Sequence, residues 1–258
     1  MSRSLAAAFT AAAAAQGDLP VTAGVARWNE AGRPISPDAI ARVMQVMMAD
    51  IGGRADGSGR IRPSMIGDPC NRKKILSFLG AEAHEFEEGS LDIMEAGTWG
   101  HYRWQVRGLS AGWLTSIEYP TIDESWLVKG SADGIIVDGS LFELKTTNSY
   151  TYDTVMKSGE PTWPHRMQCG AMLRALGLDK ASIVYEDRNF PARWHEFRWT
   201  LSEDEAITFG LKLLRRDIRS SIRGKEMPPM LTECLDMKGK NYEGCQFKYS
   251  CPSAAWPK

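Results

Sequence analysis

The stretch Val128 to Thr147, VKGSADGIIVDGSLFELKTT, constrains this chain more than any other. Two runs of strand-forming residues flank Asp138-Gly139, a dipeptide that signals a hairpin turn. In the second run Glu143 and Lys145 stand two apart, so on a strand their side chains share one face, roughly 7 Å apart. Phe142 and Leu144 then point the other way, into a core. An acid and a lysine projecting together from an apolar strand are costly to bury unless they serve something. Asp133 lies on the first run, between Gly130 and Gly134. Two carboxylates near one point form a hard-oxygen site for magnesium or manganese, and an adjacent ammonium orients an attacking water and offsets phosphate charge. That is equipment for hydrolysing a phosphodiester. The plainer alternative is a turn aspartate beside a surface ion pair.

Geometry tests the first reading. A two-residue turn at Asp138-Gly139 pairs positions whose numbers sum to 277 and sets Asp133 opposite Leu144, aimed at the wrong face. Convergence needs one more residue, in the loop or in a bulge near the glycines, which readily host one. A sum of 278 places Asp133 opposite Lys145 and Ile136 beside Phe142, so an irregularity is expected here.

The surrounding sequence predicts an α/β fold in which helices flank a mixed sheet. Strands are expected at Trp113–Tyr119, Trp126–Val137, Leu141–Thr147, Ala181–Glu186 and Arg193–Thr200. Helices are expected near Pro69, near His165–Leu176, and from Ser202, where Glu205 completes a capping box. Asn148 to Pro164 is expected to be a loop. The acidic segment Glu82 to Glu95 is a solvated face. Residues 1–51 form a helical N-terminal extension, Gly52 to Gly59 (GGRADGSG) is a flexible joint, and residues 60–258 are the main domain. The alanine-rich stretch Leu5 to Ala15 mimics a short signal peptide, but a surface helix explains it as well.

Composition then removes several classes. With 43% hydrophobic and 24% charged residues a sizeable core is affordable and general disorder is not expected. The 31 Lys+Arg against 32 Asp+Glu exclude a polycation, so a nucleic-acid partner must be held by local basic patches. One lies at Arg60, Arg62, Arg72, Lys73 and Lys74; another is the helical stripe Lys212, Arg215, Arg216, Arg219 and Arg223. Tyr150, Tyr152 and Trp163 are candidates to stack on unpaired bases. No apolar run reaches the roughly 18 residues of a membrane span, so no membrane partner is expected. No G-x-x-x-x-G-K-[ST] phosphate loop occurs, so the chain carries no motor of its own.

Five cysteines form a second constellation: Cys70, Cys234, Cys245 and Cys251, with Cys169 an ordinary buried thiol on a helix. Four thiolates can hold a [4Fe–4S] cluster or zinc, and the close C-x(2–4)-C pairs usual for zinc do not occur; simple buried thiols are the third option.

In combination these residues resemble a known family. Gly130-x-x-Asp133 followed by Glu143-x-Lys145 is similar to the PD-(D/E)XK nuclease signature, and Gly97-Thr-Trp-Gly-His101 resembles the histidine motif of its RecB-like branch. Gln168 sits where that branch carries Q-x-x-x-Y, although the fourth following residue here is Met172. Cys70 with three C-terminal cysteines resembles the iron–sulfur clasp of AddB-type and CRISPR-associated adaptation nucleases; the final C-x5-C spacing matches, while the gap from Cys234 to Cys245 is longer. The motifs run from Arg62 to Cys251.

The resemblance implies a restriction-endonuclease-like fold and a metal-dependent deoxyribonuclease, an exonuclease working on DNA ends or single strands. It implies that His101, Asp133, Glu143 and the Leu144 carbonyl ligate magnesium or manganese. Lys145 would position water, and Gln168 would contact DNA. Cys70, Cys234, Cys245 and Cys251 would hold a structural [4Fe–4S] cluster. Arg72, Lys73, Tyr150, Tyr152, Arg215 and Arg219 would line the DNA path. It also implies a role in recombination, repair or phage DNA processing, in the cytoplasm of a bacterial or phage-infected cell, beside a single-strand annealing protein. An endonuclease on the same fold, or a non-catalytic DNA-binding relict, are the alternatives.

Overall fold

A computed structural model describes residues 19–51, 59–125 and 127–256; the alanine-rich stretch, most of the glycine-rich joint and Trp126 lie outside the described residues. The chain runs α1 (Pro20–Glu30), α2 (Pro37–Ile51), α3 (Pro63–Ile66), α4 (Asn71–Phe78) and the long α5 (Glu88–Ser110). There follow β1 (Leu114–Asp123), β2 (Val128–Ile136), β3 (Leu141–Thr147), α6 (Ser149–Ser158), α7 (Trp163–Leu176), β4 (Lys180–Asp187), β5 (Trp194–Thr200) and α8 (Glu205–Gly224). A 3-10 turn (Thr232–Cys234) and the short α9 (Lys240–Glu243) close it. No helix among the described residues is long and apolar enough to cross a membrane.

The five strands form one mixed sheet in the order β1-β2-β3-β4-β5. Only β3 and β4 are parallel, and they are joined by the crossover through α6 and α7; the other pairs are antiparallel. This is the expected α/β architecture, a mixed sheet flanked by helices with a helical region before it. Alternation along β3 sends Leu141 toward a core shared with α3, α4, α7 and α8, and Phe142 and Leu144 toward a second core with Val21 and Val25 of α1 and Trp104 of α5. Glu143 and Lys145 therefore face the α7 side.

The hairpin is irregular, as its chemistry demanded, but in a different register. Gly134 pairs with Phe142 and Ile135 with Leu141, a sum of 276 rather than 278. The turn is a three-residue loop, Val137 to Gly139, with Ile136 N–H bonded to the Ser140 carbonyl at 2.8 Å and Gly139 at φ +82°. The extra residue shortens the pairing instead of lengthening it, and sets Asp133 across from Glu143 rather than Lys145. Gly134, not Ile136, lies beside Phe142. The strand alternation also breaks: Ala132 belongs to the first core and Ile136 to the second, although both are even-numbered. The break falls at Asp133-Gly134.

Two other expectations change. Asn148 to Pro164 is mostly helix α6, because Asn148 Oδ1 accepts from Thr151 N–H at 2.8 Å, Tyr152 and Val155 bury one face, and Gly159 ends it at φ +73°. At α8 the cap is Asp204, whose carboxylate accepts from Ile207 N–H at 3.0 Å, while Ser202 donates from its N–H and hydroxyl to Asp179. Helix α8 is amphipathic, with Ile207, Leu211, Leu214 and Ile218 buried.

Candidate active site

The break in β2 creates the site. Along a regular ladder of this register Leu144 N–H would bond the Ala132 carbonyl. Instead it donates to Asp133 Oδ2 at 2.6 Å, so the carboxylate stands in the gap where β2 and β3 part. The other oxygen, Oδ1, lies 3.0 Å from His101 Nδ1. His101 reaches it because α5 lies hard against the sheet. A Cβ on Gly100 would sit 2.8 Å from Thr146 Cγ2, so glycine is what permits this approach.

On the α7 side three groups close a triangle. Lys145 Nζ donates to Glu143 Oε1 and to Gln168 Oε1, each at 2.7 Å, and Gln168 Nε2 donates to the same Glu143 Oε1 at 2.7 Å. Glu143 is 2% exposed. Gln168 is carried there by α7, with the buried Cys169 behind it.

The charges interact strongly. Burial and the neighbouring Asp133 carboxylate push the Glu143 carboxyl up to about 7, against the pull of Lys145. Burial would raise Asp133 too, but the charge and hydrogen bond of His101, with Lys145 and the Leu144 amide, hold it below the usual carboxylate range. For His101 and Lys145 burial works against the charged form, and the carboxylates overcome it: Asp133 raises His101, and Glu143 raises Lys145.

Two residues of this network carried no signal of their own in the sequence. Gln105, fully buried and one helical turn after His101, donates from Nε2 to Glu118 Oε1 at 2.8 Å and to the Asp133 carbonyl at 3.1 Å. Glu118 also accepts from the Ser131 hydroxyl, and burial together with Asp133 raises its carboxyl. The His101–Gln105 spacing on one helix face was the available clue.

The expected DNA-contact residues divide. Tyr150 is 83% exposed, and Arg219 is exposed on α8 with Arg215 half-buried beside it. Lys73 is half-buried and paired with Asp68 at 2.7 Å. Arg72 and Tyr152 are not on the surface. Arg72 is 8% exposed and its guanidinium donates to the carbonyls of Pro228, Cys251 and Ala254, binding the C-terminal tail. Tyr152 packs in the first core beneath Arg193, whose guanidinium lies 4.9 Å from the ring centre.

Cys70, Cys234, Cys245 and Cys251 line one small cavity with Leu76, Met230 and Lys248. Burial raises the Cys70 thiol, although its Sγ caps α4 by accepting from Lys73 N–H at 3.3 Å. Burial also raises Cys234, and the other three thiols add to it. Among the described residues no three His, Cys, Asp or Glu side chains are already drawn to metal-binding spacing. The donor chemistry nevertheless fits in both places: two buried carboxylates that repel each other beside an imidazole suit a hard divalent ion, and four thiols around one cavity suit iron–sulfur or zinc.

No protein-family model matches the chain, and no curated protein matches it. Solved structures do. An alkaline exonuclease, LHK-Exo from Laribacter hongkongensis, is similar at 18% identity and a TM-score of 0.45, covering 64% of this chain and 91% of that one. LHK-Exo in complex with dAMP gives 18% identity and a TM-score of 0.47, over 65% and 90% of the two chains. SSO0001 gives 18% identity and a TM-score of 0.49, over 84% and 96%.

Proposed function

We propose that the chain is a divalent-metal-dependent phosphodiester hydrolase of the PD-(D/E)XK kind, and more particularly a DNA exonuclease acting on ends or single strands. The observation that carries this reading is the triangle of buried Glu143 with half-buried Lys145 and Gln168, standing beside the Asp133–His101 pair. A half-buried lysine held by a fully buried acid and an amide, next to a second acid, is an expensive arrangement with a clear use in phosphoryl chemistry.

In this reading His101, Asp133, Glu143 and the Leu144 carbonyl would hold magnesium or manganese. The bound ion supplies Lewis acidity toward the phosphoryl oxygen and lowers the pKa of a water. Lys145, kept protonated chiefly by Glu143, would orient an attacking water and offset charge gathering on the phosphate. Gln168 fixes the ammonium and presents its amide to the DNA backbone. Tyr150 and the exposed arginines of α8 offer stacking and phosphate contacts along the approach.

Manganese-supported hydrolysis of linear and closed circular DNA, with Lys145→Ala beside wild type, tests this. Loss of linear-DNA degradation by two to three orders of magnitude in the variant, on the scale of about 3–4 kcal/mol for removing a transition-state donor, is expected. Wild-type cutting of closed circles would turn the reading to an endonuclease, and no hydrolysis of either substrate would remove it.

A further inference from the structure

We propose that Gln105 and Glu118 are a positioning pair that holds the broken strand β2 open, so that the Asp133 carboxylate points at His101 and the gap beside Leu144. This deepens the metal-dependent hydrolase reading and rests on it. Ile117 pairs with Gly134 and Tyr119 with Ala132, which sets Glu118 across from Asp133. At that point in β1 Glu118 adopts φ +43°, the left-handed region that a side-chain-bearing residue in a strand avoids. The left-handed residue in β1 and the lost alternation in β2 thus face each other. Backbone strain of this kind persists only where surrounding bonds over-determine it, and here they are visible. Gln105 Nε2 takes the Glu118 carboxylate at 2.8 Å and the Asp133 carbonyl at 3.1 Å, and the Ser131 hydroxyl takes the second Glu118 oxygen.

Helix α5 therefore grips Asp133 at two points. His101 meets its carboxylate and Gln105, one turn further on, meets its backbone. Glu118 is the brace between them. Neither Gln105 nor Glu118 needs to touch the ion or the substrate to act. A partner that orients a metal ligand is worth about 10–100-fold in affinity or activity when lost.

The test is Mn2+ titration calorimetry on the intact protein, run with thermal unfolding and steady-state hydrolysis. Gln105→Met keeps the length and removes both donated bonds; it is expected to weaken Mn2+ binding about tenfold and to lower kcat with KM for DNA unchanged. Glu118→Ala gives the same loss, and provides the readout if Gln105→Met does not fold. Glu118→Gln still accepts from Gln105 and can pair with Ser131, so it is expected to stay within about threefold of wild type. Wild-type Mn2+ affinity in Gln105→Met or Glu118→Ala overturns the proposal while leaving the hydrolase reading intact. So does a Glu118→Gln variant as weak as Glu118→Ala, which would make the charge the operative feature. Absence of Mn2+ binding by wild type overturns both.

Discussion

With Glu143 as a metal ligand, as proposed, a proton and a divalent ion would compete for it at neutral pH. Its carboxyl is pushed up to about 7 by burial and by Asp133 across the strand, whereas an ion needs it ionised. Below about pH 7 the proton must leave before the ion can bind, so Mn2+ affinity is expected to rise from pH 6 to pH 8 and to level off above. Calorimetry in buffers of different ionisation enthalpy should find a proton released on binding near pH 7. A pH-independent affinity with no proton release would contradict the assignment of Glu143 as a ligand. The residues of this centre were legible to different degrees. Glu143 and Lys145 share a face because of period-two alternation, which any strand enforces. Glu118 was not legible, because a left-handed glutamate inside a strand is a tertiary outcome without a local signature, and Gln105 had only its spacing from His101 on a helix that was itself not expected. Arg72 and Tyr152 show the converse. A basic or aromatic side chain in sequence does not say which way it turns, and both turned inward, one to the tail's carbonyls and one to the core.

At the scale of elements, the site depends on how closely α5 lies on β3. Replacing Gly100 with alanine would bring Cβ to 2.8 Å from Thr146 Cγ2, so the helix must lift and His101 must draw back from Asp133. Overpacking of this kind costs about 1–3 kcal/mol, so Gly100→Ala should lower Tm and kcat together. Thr146→Ser deletes the opposing methyl, and the double variant should recover most of both losses; failure to recover would mean that the contact does not set the helix position. The succession of strands was readable from hydrophobic period and turn residues, and β3 matches its expected bounds, Leu141–Thr147, whereas the long helix α5, which carries His101, was not expected from the acidic segment at its start. The hairpin register was not. The dipeptide Asp138-Gly139 marks the turn, but the choice between two and three loop residues is settled by what the break at Asp133-Gly134 gains from His101 and the Leu144 amide. Helix α6 was hidden because its Thr and Tyr residues favour strands locally, and its caps at Asn148 and Gly159 outweighed them.

At the scale of the whole molecule, both ends of the described chain are tied to the sheet and its helices. Glu196 on β5 accepts from Val21 N–H at 3.2 Å and Thr22 N–H at 2.7 Å, holding the start of α1. Arg72 holds the tail by three carbonyls, and Phe247 is buried in the first core. The four cysteines lie on this same seam between α4 and the tail. If the four thiols hold an iron–sulfur cluster, Cys251→Ser is expected to lose iron and the visible absorption of the cluster, and to expose the tail to protease, while Mn2+ affinity stays within about threefold because the carboxylate centre lies on other elements. Zinc in place of iron in the purified protein would change the metal and not the seam. A parallel loss of Mn2+ binding would contradict the separation of the two centres. The proposed chemistry requires Asp133, Glu143 and His101 to trap one divalent ion together, and anomalous diffraction from crystals soaked in Mn2+ shows whether they do. A peak is expected within about 2.0–2.3 Å of oxygens from both carboxylates and of the His101 imidazole. Density with no such peak, and His101 still bonded to Asp133, would contradict it.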